Sequence, residues 1–252
     1  MLNYLKTKIK SSLIITILAD WIIGLTGINF EKEYSLVELI KKNSPVILDI
    51  GAHKGESIKN FLKYKPNAFI HSFEPNKKLS EILKKRFQLN KKIIIYDSAV
   101  SDKKNLKLFT PIIKGYPFTG LSSIKKENAI ERLEKFYSFN FEEKNLFSAK
   151  KIKTITIDEL SLKPDLIKID IEGHEFEALK ATKKTIDKYR PLIIIEFNEN
   201  SFLSCEKFLR KLNYQAFLLK KWDKDSMQKI DIKDFNTIKK NKNLVNIVFI
   251  HN

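Results

Sequence analysis

Apolar runs in this chain repeatedly end in a carboxylate. "VILD" closes on Asp49, "FIHSFE" on Glu74, "IIIYD" on Asp97, "LIKID" on Asp170 with Glu172 just beyond, and "LIIIE" on Glu196. Strand ends reach solvent and take polar residues, but in a chain whose surplus charge is lysine, chance would place Lys there at least as often. The pattern reads as an acidic rim around one pocket, suited to hydroxyl-rich or cationic ligands. The chemistry is densest in "PDLIKIDIEGHE", residues 164–175. Residues two apart share one face of a strand. Lys168, Asp170 and Glu172 therefore line up on one face, and the run of Leu and Ile supplies the apolar remainder. Either carboxylate can take a proton, and His174, just beyond, titrates near neutral pH. Lys168 neutralises Asp170 from two residues back, as part of a catalytic arrangement or as a structural ion pair.

The first turn adds a second kind of site. "DIGAHKGES" places Gly51 and Gly55 directly after an apolar run and opens a helical pattern. Backbone without side chains allows close approach of a ligand, and a helix N-terminus offers N–H donors. Glu74 closes the next strand, where a carboxylate can accept both ribose hydroxyls of a nucleoside. The turn does not match the glycine pattern of dinucleotide sites: His53 stands at the middle glycine position and Gly55 comes one residue early. A nucleoside with a cationic amino-acid tail fits the leading acid, Asp49, better than NAD does.

Elements must carry these residues to one place. "PVILDIGA" (45–52), "AFIHSFEP" (68–75), "KKIIIYDSAV" (91–100), "DLIKIDIEG" and "PLIIIEFNEN" (191–200) read as strands. Amphipathic segments alternate with them, such as "NKKLSEILKKRFQL" with Leu79, Leu83 and Phe87 on one side, one helix over 173–188, and another to about Leu212. Strand–helix alternation with continuous apolar strands implies an α/β domain with a mostly parallel sheet covered on both faces. Such sheets bind ligands beyond the carboxyl ends of their strands. "NLKLFTP" reads as an extra edge strand. "YQAFLLKKW" and "NLVNIVFIHN" close the sheet as a hairpin around a charged insert, 221–243. Residues 111–150 are less regular, and the loop 111–124, with Gly115, Pro117 and Gly120, suits a lid or acceptor-binding insertion whose Tyr116 and Phe118 offer rings to stack on a ligand.

The chain has 252 residues and 43% hydrophobic composition, enough for one sizeable core. The expected division is an N-terminal helical extension over 1–43 and a single domain over 44–252. Within the first 30 residues, Ile14, Leu18, Trp21, Ile22 and Leu25 recur at helical spacing, and Asp20 interrupts the apolar run. A charge there costs about 2.5–3.5 kcal/mol in a bilayer, which favours a helix packed on the domain or on a partner subunit in a homodimer, then peripheral membrane contact, over a spanning segment. The single cysteine, Cys205, excludes an internal disulfide, packs as a small apolar residue and fits a reducing, cytoplasmic compartment. The net charge of +17 invites nucleic acid as a partner, but only four of the 47 basic residues are arginine: Arg86, Arg132, Arg190 and Arg210. Arginine is the side chain that phosphate and base contacts favour. Patterns that nucleic-acid-modifying enzymes use are also missing: "DIEG" stands where an Asp/Asn-Pro-Pro-aromatic motif would, and Cys205 follows Ser204 rather than Pro. A non-catalytic nucleotide-binding or membrane-associated module is the remaining alternative.

"DIGAHKGES", "FEPN", "SAVSD", "TIDEL", "LIKIDIEGHE" and "RPLIIIEFN" occur in this order over about residues 45–200. Together they resemble the FkbM-type family of S-adenosylmethionine-dependent O-methyltransferases. The resemblance implies a Rossmann-like, doubly wound, seven-stranded sheet whose last strand is antiparallel, and methylation of a hydroxyl on a sugar, glycan or related small molecule. It places Asp49 and the turn Gly51, Ala52, His53 and Gly55 against the methionine part of the cofactor, and Glu74 at its ribose. Asp97, Ser98 and Ala99 then border the adenine, and Asp170 and Glu172 lie near the transferred methyl group. An acceptor hydroxyl needs a base or a metal. Asp170, Glu172 and His174 are the candidate bases. Mg2+ bridging Asp170, Glu196 and Asn198 is the metal option, since hard oxygen ligands suit that ion.

Overall fold

The computed structural model describes residues 32–113, 115–137, 146–219, 227–231 and 246–252. The helix expected within the first 30 residues lies outside the described residues. The described chain begins with a 3-10 helix, Lys32–Leu39, followed by β1 (Val46–Ile50), α1 (Glu56–Tyr64), β2 (Phe69–Phe73), α2 (Lys77–Phe87), β3 (Ile93–Tyr96), β4 (Ala99–Val100), β5 (Lys107–Ile113) and β6 (Tyr116–Pro117). Then come α3 (Lys126–Tyr137), β7 (Leu146–Lys151), β8 (Thr154–Ile155), β9 (Leu166–Ile169), α4 (Glu175–Lys180), α5 (Lys183–Tyr189), β10 (Leu192–Glu196), α6 (Phe202–Arg210), β11 (Tyr214–Leu219), β12 (Met227–Ile230) and β13 (Asn246–His251).

The main sheet has eight strands in the order β12-β11-β13-β10-β9-β1-β2-β3. The five from β10 to β3 are parallel, and β13 inserts antiparallel between β10 and β11. The doubly wound sheet with an antiparallel last strand is thus present. It has one strand more than expected, because Met227–Ile230, within the segment read as a charged insert, pairs antiparallel with the outer edge of β11.

Both faces of the parallel strands are apolar because both are covered. Leu48, Ile50, Ile167, Ile169, Ile193 and Ile195 pack with Leu179, Ile186 and Phe202 from α4, α5 and α6. Ile47, Ile70, Leu166 and Ile194 pack on the opposite face with Ile58 and Phe61 of α1, Leu83 of α2 and Tyr34. The 3-10 helix is tied to the domain through buried Tyr34, Leu36 and Val37, although its residues were assigned to the extension. Helix α2 starts where expected: Asn76 caps it by accepting the Lys78 N–H, and Lys84, Lys85 and Arg86 sit in its last turn, where cations favour the helix dipole. Cys205 is buried in α6. Among the described residues, no helix is long and apolar enough to cross a membrane.

Three local readings are corrected. The strand predicted over 91–100 stops at Tyr96, and Ala99–Val100 pairs with β8 in a separate two-stranded sheet. The helix predicted over 173–188 is two helices, α4 and α5, broken at Ala181 and Thr182. The loop 111–124 is not a loop. Strands β6, β5 and β7 form a small antiparallel sheet there, backed by α3. Its own core contains Ile113, Phe118, Leu121 and Leu133, and Phe118 meets Tyr116 edge-on at 5.4 Å. Phe118 is therefore buried inside the insertion and does not present a ring to a sugar.

Candidate active site

The strand pairing sets the acids in one row. Ile195, Ile169, Ile50, Phe73 and Tyr96 lie in register across β10, β9, β1, β2 and β3. The next residue on each strand is Glu196, Asp170, Gly51, Glu74 and Asp97. Four acids flank a glycine at the carboxyl edge of the sheet, the place where parallel sheets bind ligands.

The glycine is required by contact. Gly51 has φ +92, and a Cβ there would sit 1.9 Å from the Asp170 carbonyl oxygen. The turn after β1 therefore runs directly against the backbone that carries Asp170. Gly51 and Ala52 donate to the Phe73 carbonyl, at 3.0 and 3.2 Å, which ties the turn to β2 as well. Glu74 accepts the His53 N–H at 2.9 Å and the Asn76 N–H at 2.7 Å, one on each carboxylate oxygen. Burial pushes its carboxyl up to about 7 against these two N–H groups and the Lys168 charge. Asp97 receives a 3.3 Å hydrogen bond from Ser80, and its carbonyl accepts from the Ser98 hydroxyl. Ala99 turns into the small β4–β8 sheet and is buried.

Asp49 and Lys168 form the layer beneath the row. Asp49 is fully buried and accepts from Ser57 at 2.8 Å and Ser72 at 3.1 Å. The Lys168 ammonium donates to the Gly51 carbonyl at 2.7 Å and lies 3.5 Å from Asp49 Oδ1 and 3.3 Å from Asp170 Oδ2. Asp49 thus faces protein groups and anchors the lysine that joins the glycine turn to Asp170.

On the other side of Asp170, one oxygen each of Asp170, Glu172 and Glu196 lie within 4.8 Å of one another. Burial raises the Asp170 carboxyl, but the Lys168 charge, a hydrogen bond with Glu196 and the Arg132 charge outweigh it, holding Asp170 below the usual carboxylate range. Burial and then the Asp170 charge push Glu196 well above that range. Within the pair, Asp170 is thus biased toward the ionised form and Glu196 toward the protonated one.

The insertion forms one wall of this site. Thr119 Oγ1 lies 3.0 Å from His53 Nε2, beside the glycine turn. Ser123 donates to the Glu172 carbonyl at 2.9 Å, and Asn128 to the same oxygen at 3.4 Å. Arg132 of α3 ion-pairs with Glu172 and lies 3.5 Å from Glu196 Oε1. None of these side chains was singled out from the sequence. The available signal for Arg132 was its rarity, as one of four arginines in so lysine-rich a chain.

His174 is placed elsewhere. It is buried, with Nε2 3.2 Å from Ser101 Oγ and Nδ1 3.7 Å from Glu177. Burial lowers its imidazole pKa, Glu177 opposes this, and Lys103, Lys125 and Lys180 reinforce it, so the ring is neutral at neutral pH. It secures the start of α4 and is not among the three clustered acids. Asn198, named with Asp170 and Glu196 for Mg2+, has its Oδ1 accepting the Asn200 N–H at 3.0 Å, and the third acid beside that pair is Glu172.

The Methyltransferase FkbM domain family model matches residues 49–216. A 2-O-methyltransferase, NoeI, from Sinorhizobium fredii is 24% identical over 182 residues, which is 70% of this chain and 73% of the relative. Among solved structures, an FkbM methyltransferase from Methylobacillus flagellatus aligns with a TM-score of 0.51 at 15% identity, over 86% of this chain and 47% of that one. This chain thus spans about half the length of that protein. An O-methyltransferase from Bacillus cereus in complex with SAH aligns at 11% identity, over 99% of this chain and 97% of that one, with a TM-score of 0.43. The family match covers the strand row, the glycine turn and the insertion together, and the chain belongs to the FkbM family of S-adenosylmethionine-dependent methyltransferases.

Proposed function

We propose that the protein is an O-methyltransferase acting on a hydroxyl of a sugar, glycan or related small molecule. The observation that carries the reading is the Asp170 backbone held directly against the Gly51 turn, in the same row as Glu74. The name of the Sinorhizobium fredii relative, a 2-O-methyltransferase, supports oxygen as the methylated atom.

The residues present fit S-adenosylmethionine. Gly51 leaves the backbone of the turn free of a side chain, and the start of α1 follows at Glu56 with N–H groups for an anionic group. Glu74 keeps lone pairs beyond the two it gives to backbone N–H groups, enough to accept ribose hydroxyls. Asp97, Ser98 and Ala99 border the base. When bound, the cofactor supplies a sulfonium-activated methyl group, so positioning and deprotonation of the acceptor are what the chain must add. Asp170 takes the hydroxyl proton onto its carboxylate. Glu172 and Glu196 line the neighbouring position, where a vicinal hydroxyl finds acceptors. Thr119, Ser123 and Asn128 form the wall on this side, holding His53 and the Glu172 carbonyl.

The test is transfer of a labelled methyl group from S-adenosylmethionine to a panel of activated sugars and glycans, with calorimetry for the cofactor. Labelled product on a hydroxyl is expected. Absence of S-adenosylmethionine binding at millimolar concentration would overturn the reading.

Glu74 carries a pH prediction. A carboxyl raised by folding contributes stability that is fully present below its ordinary value of 4.5 and is lost as pH rises through about 7. Ribose hydroxyls need the ionised form, so cofactor binding expels this proton. Affinity is expected to rise between roughly pH 6 and pH 8, with proton release in calorimetry. Glu74→Gln is expected to flatten that dependence and weaken binding about tenfold or more, since a hydrogen bond to a charged group contributes about 1.5–3 kcal/mol. Affinity in the variant equal to wild type would remove Glu74 from the ribose.

A further inference from the structure

Three carboxylates as close as Asp170, Glu172 and Glu196 demand positive charge or a proton between them. A divalent metal is the obvious candidate for such a cluster, and the structure argues against it with a protein group. Arg132 stands at the cluster, its guanidinium ion-paired with Glu172 Oε2 and 3.5 Å from Glu196 Oε1. Its side chain is 23% exposed, and the two acids it meets are 14% and 18% exposed, so the pairs are largely shielded from water. Guanidinium stays charged at every accessible pH, and here one of its nitrogens, Nη1, faces both acids. The position of Arg132 is itself determined. Ser123 and Asn128, from the same insertion, hold the Glu172 carbonyl, and a Cβ on Gly173 would meet Asn128 Nδ2 at 2.0 Å. The remaining acid, Asp170, has its own cation in Lys168.

We propose that Arg132 is the resident cation of the site: it stands where a divalent metal would, fixes Glu172 and Glu196, and leaves Asp170 as the carboxylate open to the acceptor. Arg132 is thus a positioning residue, supplied by an insertion that lies outside the family's ordered motifs. The role of Asp170 rests on the methyl-transfer reading. The assignment of the cation does not, and it can be read without an acceptor.

The experiment uses the full chain as wild type, Arg132→Met and Arg132→Lys, each checked by thermal melting. Mn2+ is titrated by calorimetry, S-adenosylmethionine affinity is measured, and turnover is followed with and without EDTA. Wild type is expected to bind Mn2+ no tighter than about 1 mM, with turnover indifferent to EDTA. Arg132→Met is expected to open the cluster: Mn2+ affinity rises at least about tenfold, and turnover falls at least about thirtyfold. Cofactor affinity should stay within about threefold in all three proteins. Arg132→Lys keeps the charge and should recover part of the turnover without gaining Mn2+ binding. The proposal is overturned if wild type binds Mn2+ tightly and Glu172→Gln abolishes that binding, if EDTA stops turnover, or if Arg132→Met neither gains Mn2+ nor loses turnover. Should Arg132→Met fail to fold, the wild-type and Arg132→Lys arms decide. Should no acceptor take a methyl group, the proposed function fails, while the Mn2+ titrations still report on the cation.

Discussion

Asp170→Asn is expected to lower turnover about a hundred- to ten-thousandfold, the range a general base contributes. Cofactor affinity should stay within about threefold and the melting temperature within a few degrees. The exchange keeps the shape of the side chain and removes its ability to take a proton. Lys168 retains Asp49 and the Gly51 carbonyl, so the layer beneath the row survives. Glu196 loses the negative charge that helps to hold its proton, which makes the outcome specific. Its carboxyl should move back toward the ordinary range, visible by NMR titration of labelled glutamate. Glu172→Gln is the matched control. Glu172 is bound to Arg132 and should cost less than Asp170. Turnover in Asp170→Asn equal to wild type would show the acid to be structural.

The order of strands and helices could be read because each parallel strand is apolar on both faces and ends in a polar residue. That same pattern located Asp170, Glu74, Asp97 and Glu196, and the pairing register then put them in one row. The insertion was illegible for a physical reason. Its strand β5 carries Pro111, and its small sheet is closed by pairing with β7 nearly forty residues further along. Short-range periodicity cannot report such a partner. Tyr116 and Phe118 look like exposed ring donors in a loop, but Phe118 belongs to the insertion's core and half-buried Tyr116 packs against it. His174 stands among the candidate bases because it follows the acids directly in the chain and titrates near neutral pH. Its burial depends on Ser101, 73 positions earlier in the chain, which local sequence does not reveal. Arg132 was missed likewise, since a mixed-charge helix does not announce which of its charges meets an acid from β10.

Lys168→Met is expected to be the most destabilising single change at the site, by about 3–5 kcal/mol in urea unfolding, because it leaves buried acids without their cation. The magnitude follows from burial. Lys168 is 3% exposed and its partner Asp49 is 0% exposed. The surface pair Lys42–Asp165 has a shorter distance, 3.0 Å, but its side chains are 55% and 25% exposed. Breaking that pair with Lys42→Ala should cost no more than about 1 kcal/mol. Distance alone ranks the two pairs wrongly, and shielding from water decides. The charge origin can be separated from packing in two ways. Adding Asp49→Asn to Lys168→Met removes the stranded acid and should restore part of the loss, a coupling that a double-mutant cycle reads. The pH dependence gives the second. Asp170, depressed by Lys168 against its burial, adds stability that is present above its ordinary value of 3.8 and is lost as pH falls through its lower folded value. The difference between wild type and Lys168→Met should therefore narrow below about pH 4. A gap that stays constant down to about pH 3 would assign the stabilisation to the lysine's alkyl chain and detach the glycine turn from the acid it is held against.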